Sequence, residues 1–178
     1  MNNFIKLYLL SSLSLSFINA DTTKFGLGSC LDQDYPQPIW KAIEKEDLDY
    51  FVFLGDNVYG DLPSGSLRKM VSANNKQKNN FPHEKEKLFN MLNKYNDKTL
   101  FVSGDRHRGG IYKESGIYEI TASSLNKPGS NFDETDTNLI GKTYNQENYG
   151  SLEVSENKIN VLLKDVNGKT LNMVSLKY

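Results

Sequence analysis

The stretch that runs from Tyr50 to Asp61 constrains the fold of this chain more than any other. It opens with a short apolar run, Tyr50 to Leu54, whose aromatic and β-branched residues are typical of a strand buried on both faces. Gly55 then allows the backbone to turn, so Asp56 follows the carboxyl end of the strand, where open α/β sheets bind ligands. Tyr59 lies three residues further on, and a helical turn would direct both side chains the same way. The pair indicates a site for a hard cation, with a plain Gly-Asp turn as the alternative.

A second strand end of the same kind precedes this one. Residues 24–30 have the pattern of a strand that ends in a glycine-containing loop, which places Cys30 just past the strand. Residues 36–48 follow as an amphipathic helix that begins at a proline. Strand, helix and strand make a βαβ unit with parallel strands, so we expect Cys30 and Asp56 at the same edge of one sheet. As the only cysteine of the chain, Cys30 is either a small buried apolar residue or a metal ligand.

A third strand end carries the remaining candidate ligands. The pattern of residues 99–103 predicts another buried strand, and Gly104-Asp105-Arg106-His107 comes directly after it. His107 is the stronger histidine candidate because it follows a strand and shares its loop with Asp105. His83 falls in the first turn of the preceding helix, where a surface or capping role is more usual than metal binding. That helix is predicted to begin at Phe81-Pro82 and to bury a stripe of apolar side chains: Leu88, Met91, Leu92 and Tyr95.

The last third of the chain is predicted to be mostly β-structure. A short strand is expected over residues 116–121, and a polar loop over residues 126–148. Three strand patterns follow, at residues 149–154, 158–164 and 170–177. Asn167-Gly168 between the last two is a strong hairpin signal. We therefore expect an antiparallel meander that closes a second sheet and has a structural role.

The first twenty residues resemble a secretory signal peptide, with one lysine, an apolar run and a small residue, Ala20, at the cleavage point. An N-terminal anchor helix is the alternative, although serines interrupt the apolar run and it is short for a membrane span. We expect an exported protein, periplasmic or extracellular, without a stable membrane span after cleavage. Residues 21–178 have the length of one domain.

The charged residues are nearly balanced, with 21 Lys and Arg against 22 Asp and Glu. Because the chain has no basic stripe or run, nucleic acid is not an expected partner. A single cysteine cannot form an internal disulfide, so this chain gains no covalent cross-link of its own.

These segments together resemble the alkaline phosphatase D family, the PhoD-like metallophosphatases. The resemblance rests on six segments in the family's order: Gly28 to Cys30, Pro36 to Trp40, Phe53 to Asp61, Asn80 to Glu84, Ser103 to His107 and Ile120 to Asn126. It implies an α/β sandwich of the metallophosphoesterase kind, with a parallel βαβ core and a C-terminal antiparallel meander. It further implies an exported hydrolase of phosphate mono- or diesters that uses Fe³⁺ and Ca²⁺.

The resemblance also implies roles for individual residues. It makes Cys30, Asp56 and Tyr59 metal ligands, and it brings Asp105 and His107 into the site as further ligands and as catalytic residues that assist proton transfer. Thiolate and phenolate suit trivalent iron, and carboxylates suit calcium. In the implied mechanism the metals activate water, neutralise the phosphoryl oxygens of the ester and stabilise the leaving alkoxide.

The chain departs from the family in its middle. The family has a long block with an Asp-Asp-His motif, which is absent here, and the only histidines are His83 and His107. Residues 70–72 resemble the junction of an internal deletion, and the Asn- and Lys-rich tract after it has the pattern of a polar loop. The ligand set is therefore incomplete. Three hypotheses follow: a phosphatase of reduced activity, a non-catalytic remnant that retains the fold and a weak metal or phosphate site, and a fragment of a broken gene.

Overall fold

The computed structural model describes residues 22–57, 59, 82–130 and 134–178. The predicted signal peptide, the junction at residues 70–72 and the polar tract after it lie outside these residues. The described part of the chain forms eight strands and two α-helices, with 3₁₀ turns after both helices, at Glu44–Glu46 and Asn93–Lys98. In chain order the elements are β1 (Thr23–Gly28), α1 (Trp40–Ile43), β2 (Tyr50–Phe53), α2 (Pro82–Leu92), β3 (Leu100–Ser103), β4 (Gly109–Glu114), β5 (Ile117–Ala122), β6 (Asn148–Ser155), β7 (Lys158–Asp165) and β8 (Thr170–Lys177).

These strands form two sheets that pack face to face, so the predicted α/β sandwich is confirmed. The larger sheet has the strand order β2-β1-β6-β7-β8, and the smaller sheet has the order β3-β5-β4. β1 pairs in parallel with β2, and β3 with β5, whereas the other strand pairs of the described chain are antiparallel. Apolar side chains from both sheets fill the space between them: Leu27, Ile111, Ile120, Ala122, Val161 and Leu176.

The predicted βαβ unit is present, but its helix is shorter than expected. In the connection between the parallel strands β1 and β2, the α-helix has only the four residues of α1, whereas a helix over residues 36–48 was predicted. The 3₁₀ turn after α1 is followed by Asp47, whose left-handed backbone (φ 51°) cannot continue a helix. The predicted apolar face is still buried, because Ile39 and Ile43 pack against Tyr149 of β6.

The C-terminal meander is present as β6, β7 and β8, but it extends the larger sheet and does not close the second one. β6 pairs antiparallel with β1, where Leu27 is the partner of Gly150. Gly150 allows the sheets to approach closely, because a Cβ there would lie 3.1 Å from the Cβ of Ala122 on β5. The predicted Asn167-Gly168 turn joins β7 to β8, with Gly168 at a φ of +81°.

β4 is a strand that the sequence pattern did not predict. Gly109 and Gly110 favour a loop by composition, yet both are buried at the start of β4, which pairs with β5. The packing requires glycine, because a Cβ on Gly109 would lie 2.7 Å from Cδ2 of Leu163 and 2.8 Å from Oδ1 of Asn148. Tertiary packing therefore decides the conformation of a segment whose local composition is that of a turn.

β2 lies at the edge of the larger sheet, and the prediction that it is buried on both faces is wrong. Tyr50 is 60% exposed and Phe53 is 49% exposed. The aromatic side chains form a surface cluster, in which the ring centroid of Phe51 lies 4.9 Å from that of Phe53 and 5.4 Å from that of Trp40. Because β-propensity reports packing with neighbours as much as burial, an apolar run is also compatible with an edge strand.

The apolar stripe predicted for the second helix is also wrong. Leu88, Met91 and Tyr95 are exposed, Met91 by 64%. The side chain that packs towards the smaller sheet is Phe89, whose ring centroid lies 6.5 Å from that of Phe101 on β3. Neither helix in the described chain has both the length and the apolar character that a membrane crossing requires.

Candidate metal centre

Three loops, each at the carboxyl end of a strand, bring together three side chains of the types that can bind a metal. Cys30 follows β1, Asp56 follows β2 and His107 follows β3. One ligand atom of each residue lies within 4.8 Å of those of the other two, and we call these three residues the ligand group. Strand ends were predicted to carry these residues, and both sheets, rather than one, supply them.

The loops are joined by close backbone contacts beyond the strand ends. The N–H of Leu31 donates to the carbonyl of Asp56 at 2.8 Å, which continues the pairing of β1 with β2. The loop after β3 reaches them through Gly104, where a Cβ would lie 2.8 Å from the Cβ of Ser29 and 3.2 Å from the carbonyl of Leu54. The glycine of the Gly-Asp-x-His segment is therefore required for the approach of the third loop.

The ligand group has an unusual backbone conformation. The φ angles are 57° at Cys30, 50° at Asp56 and 53° at His107, all in the left-handed region. That region costs a residue with a Cβ about 1–2 kcal/mol. Such conformations cluster at ligand clamps and active sites, where the surrounding structure holds them.

Tyr59 adds a phenol to the ligand group. Its hydroxyl donates to Oδ2 of Asp56 at 3.4 Å and lies 3.3 Å from Nε2 of His107. Both distances exceed the usual hydrogen-bond length of about 2.7–3.0 Å. Ligands held at about 2.0–2.3 Å around a tetrahedral ion are about 3.3–3.8 Å apart, which fits the spacing better. Asp56 and Tyr59 do face each other as predicted, although residues 56, 57 and 59 are not helical.

The environment of Cys30 favours its thiolate form. The thiol is fully buried, and its Sγ lies 3.2 Å from Oγ of Ser123. Burial raises the thiol pKa, but hydrogen bonds with His107, Ser123 and Ser29 and the charge of His107 outweigh burial and lower the pKa to about 7. The hydrogen bond with Cys30 in turn raises the pKa of the His107 imidazole, against the effect of burial. The thiolate, which is the form that binds metals, is therefore available near neutral pH.

The imidazole of His107 is held in place from behind. It makes a hydrogen bond with the backbone of Lys127, while its Nε2 faces Tyr59. The backbone N–H of His107 donates to Oγ of Ser123 at 2.9 Å, and the N–H of Gly129 donates to the carbonyl of His107 at 2.8 Å. Histidines that bind metals commonly bond a backbone group through the other ring nitrogen, which fixes the ring orientation.

The chemistry of the donor set fits a transition ion. Burial and the negative charges of Cys30 and Asp56 raise the pKa of the Tyr59 phenol, so these groups oppose further deprotonation unless a cation lies among them. Sulfur, nitrogen and oxygen donors together suit a metal such as iron. Calcium takes about six to eight oxygen ligands. Among the described residues of this site, only the Asp56 carboxylate and the Tyr59 phenol offer oxygen ligands. These residues therefore do not fit calcium.

Two further candidates from the sequence are Asp105 and His83. Asp105 (φ 68°) is exposed in the same loop as His107 and is not a member of the group, so its role stays a prediction. His83 lies in α2, and its side chain is outside what the structure describes. Ser123, which contacts two ligand residues, was not predicted, although it follows β5 within one of the six segments of the resemblance.

No protein-family model and no curated protein matches the chain. Among solved structures, vacuolar protein sorting 29 from Cryptosporidium parvum matches with a TM-score of 0.51 at 13% identity, over 88% of this chain and 99% of that one. A predicted phosphoesterase from Streptococcus pneumoniae gives a TM-score of 0.47 at 12% identity, over 89% of this chain and 99% of that one. GAP50, the anchor in the inner membrane complex of Plasmodium, gives 0.46 at 14% identity over 79% of this chain, which spans 40% of that chain's length. The likeness to the sorting protein shows a shared fold, and the resemblance to alkaline phosphatase D stays a prediction.

Proposed function

We propose that the chain is an exported, metal-dependent phosphoesterase of the alkaline phosphatase D type, reduced to a single metal centre and of low activity. The observation that carries the proposal is the convergence of Cys30, Asp56 and His107 from three strand ends, with Tyr59 beside them. The resemblance supplies the reaction class, which is hydrolysis of phosphate mono- or diesters. The resemblance also supplies the metal preference, which is ferric iron, and thiolate and phenolate are suitable donors for that ion.

Each residue has a separate task in this proposal. Cys30, Asp56, His107 and Tyr59 would hold the ion, which when bound activates water and polarises a phosphoryl oxygen. Ser123 holds the backbone of His107, and the backbone of Lys127 keeps the imidazole turned towards the centre. We assign proton exchange with solvent to Asp105, because it is exposed and shares the loop of His107.

Low activity follows from the number of ions that can be held. A two-metal displacement stabilises the attacking and the leaving oxygen with separate ions. The residues that the structure describes offer one group of three ligands, and the chain has no Asp-Asp-His segment. Loss of one well-placed proton-transfer group alone lowers a rate by about 10²–10⁴. We therefore expect turnover at least that far below the activity of full-length relatives.

A non-catalytic, metal-binding remnant is the second candidate. It is favoured by the absence of an Asp-Asp-His segment, which leaves one group of three ligands among the described residues. In that case the chain would bind the ion and turn over no ester.

The test is hydrolysis of chromogenic phosphate mono- and diesters by purified protein supplied with Fe³⁺. Weak turnover should disappear in Asp56→Asn. Asp47→Asn is a matched control, because Asp47 is also an exposed aspartate with a left-handed backbone (φ 51°) but lies after α1 and outside the ligand group. Bound iron without turnover would favour the remnant. Turnover equal to that of a full-length relative would refute the single-centre proposal.

A further inference from the structure

A glutamine in the loop after β1 grips the backbone of Tyr59. Nε2 of Gln33 donates to the carbonyl of Tyr59 at 2.9 Å, and the N–H of Tyr59 donates to Oε1 of Gln33 at 3.0 Å. One side-chain amide thus pairs with both backbone polar groups of Tyr59, as a neighbouring strand would. These distances are those of normal hydrogen bonds, unlike the longer contacts of the phenol itself.

A lysine in the loop after β5 holds the ring of the same residue. Nζ of Lys127 lies 3.5 Å from the ring centroid of Tyr59, well within the range of about 6 Å for a cation–π contact. The same Nζ donates to Oδ2 of Asp32 at 2.8 Å. The ion pair therefore fixes the ammonium group over the ring.

The two loops are locked to each other by a buried asparagine. Oδ1 of Asn126 accepts from the N–H of Asp32 at 2.7 Å, and Nδ2 of Asn126 donates to the carbonyl of Asp32 at 2.7 Å. Gln33 follows Asp32, and Lys127 follows Asn126. The pairing of Asp32 with Asn126 therefore fixes the distance between the two residues that contact Tyr59. Lys127 also contacts the ligand group, since its backbone makes a hydrogen bond with the His107 imidazole.

We propose that Gln33 and Lys127 are positioning residues that hold the backbone and the ring of Tyr59 so that its phenol reaches the ligand group. The metal-binding consequence rests on the proposed function, whereas the positioning is a property of the metal-free chain. The phenol contacts of 3.3 and 3.4 Å are too long to fix the side chain by themselves. Among the described residues outside the ligand group, Gln33 and Lys127 contact the backbone and the ring of Tyr59 and so restrict its orientation.

The grip of Gln33 is tested on the metal-free protein by amide hydrogen exchange at Tyr59, followed by NMR. Gln33→Ala should speed this exchange about tenfold or more, because the amide loses its acceptor. Gln146→Ala, which removes an exposed glutamine side chain from the loop before β6, is the control and should leave the rate unchanged. An unprotected Tyr59 amide in the wild type, or equal rates in Gln33→Ala and the wild type, would overturn the inference.

The grip of Lys127 is tested by titration with Fe³⁺, with the phenolate-to-iron charge-transfer absorption as the signature of Tyr59. Lys127→Met should lose this absorption and bind iron about 10–100-fold more weakly, as expected when a residue that orients a ligand is removed. Lys127→Arg should restore both, because arginine also stacks on aromatic rings and pairs with carboxylates. Lys113→Met is the control, since Nζ of Lys113 lies 4.7 Å from the ring centroid of Tyr118, outside the ligand group.

The outcomes separate the two proposals. Iron binding with the absorption unchanged in Lys127→Met would overturn the positioning role while leaving the metal centre intact. Iron binding by the wild type without the absorption would also overturn it, because Tyr59 would not be a ligand. If the wild type binds no iron, the proposed function fails, and amide exchange in Gln33→Ala alone decides the positioning of Tyr59.

Discussion

The buried hydroxyl of Ser123 offers a sharp test of how the ligand group is held together. Its Oγ accepts a hydrogen bond from the N–H of His107 at 2.9 Å and lies 3.2 Å from Sγ of Cys30. Because the oxygen accepts from His107, the hydroxyl proton is available to the sulfur. One side chain therefore links two of the three loops that carry the ligand group.

Ser123→Ala removes both interactions at once. The N–H of His107 loses its acceptor, and an unmade hydrogen bond of a buried group costs about 1–3 kcal/mol, while a hydrogen bond to a charged group contributes about 1.5–3 kcal/mol. Since one hydroxyl serves both partners, the two losses overlap. We expect the free energy of unfolding of the metal-free protein to fall by about 2–3 kcal/mol. Iron affinity should fall about 10–100-fold, because Cys30 and His107 lose a shared support.

The neighbouring residue supplies the control. Ser124 is as deeply buried as Ser123, but its Oγ has no hydrogen-bond partner among the residues that the structure describes. Ser124→Ala keeps the same backbone strain (φ 116°) and should leave stability and iron affinity unchanged or slightly improved. Urea unfolding with a chelator present measures the first quantity, and chelator competition for Fe³⁺ measures the second. Equal effects of the two substitutions would refute the role assigned to Ser123.

Three further predictions concern the thiol, the N-terminus and acid stability. Cys30→Ser should abolish bound iron in elemental analysis; an unchanged iron content would make Cys30 only a buried thiol. Mass spectrometry of the exported protein should find its N-terminus at Asp21 or a near neighbour, and an intact Met1 would contradict cleavage. The Lys127 ammonium and the Asp34 N–H hold the pKa of Asp32 below its usual value, so the stability that this pair supplies is present above the usual pKa of about 3.9 and is lost as the pH falls through the lowered value. Urea unfolding as a function of pH should therefore show a steeper acid loss in the wild type than in Asp32→Asn.

Local sequence signals predicted the ligand loops because each signal is contained within a few residues. An apolar run ended by glycine and followed by Asp56, or by Asp105 and His107, marks a strand end without reference to the rest of the chain. The parallel arrangement of β1 and β2 then follows from the crossover connection of a βαβ unit. The local sequence pattern does not predict that β3 belongs to the other sheet, since face-to-face packing depends on side chains far away in sequence.

The contacts that support the ligand group could not be predicted from the sequence for the same reason. Asn126 bonds Asp32 across 94 positions, and Gln33 bonds Tyr59 across 26, with no periodicity or spacing that links them. The exposed face of β2 is a related case, because the apolar run is the same whether the strand lies at the centre or at the edge of a sheet. A resemblance to a family assigns ligands but not the residues around them, so Ser123 and Lys127 become visible only in the folded chain.

The backbone conformation of the ligand group argues for a functional rather than a structural origin. A left-handed residue at each of these turns would be free of strain if it were glycine, as it is at Gly168 in the β7–β8 turn. The chain instead has Cys30, Asp56 and His107 there, at a cost of about 1–2 kcal/mol each. Asp47, Asp105 and Ser115 have the same conformation outside the ligand group, so the strain is not specific to it. What distinguishes Cys30, Asp56 and His107 is that their ligand atoms lie within 4.8 Å of one another. Binding of a common ion, as proposed above, would account for this convergence, because the ion needs the side chains that glycine lacks.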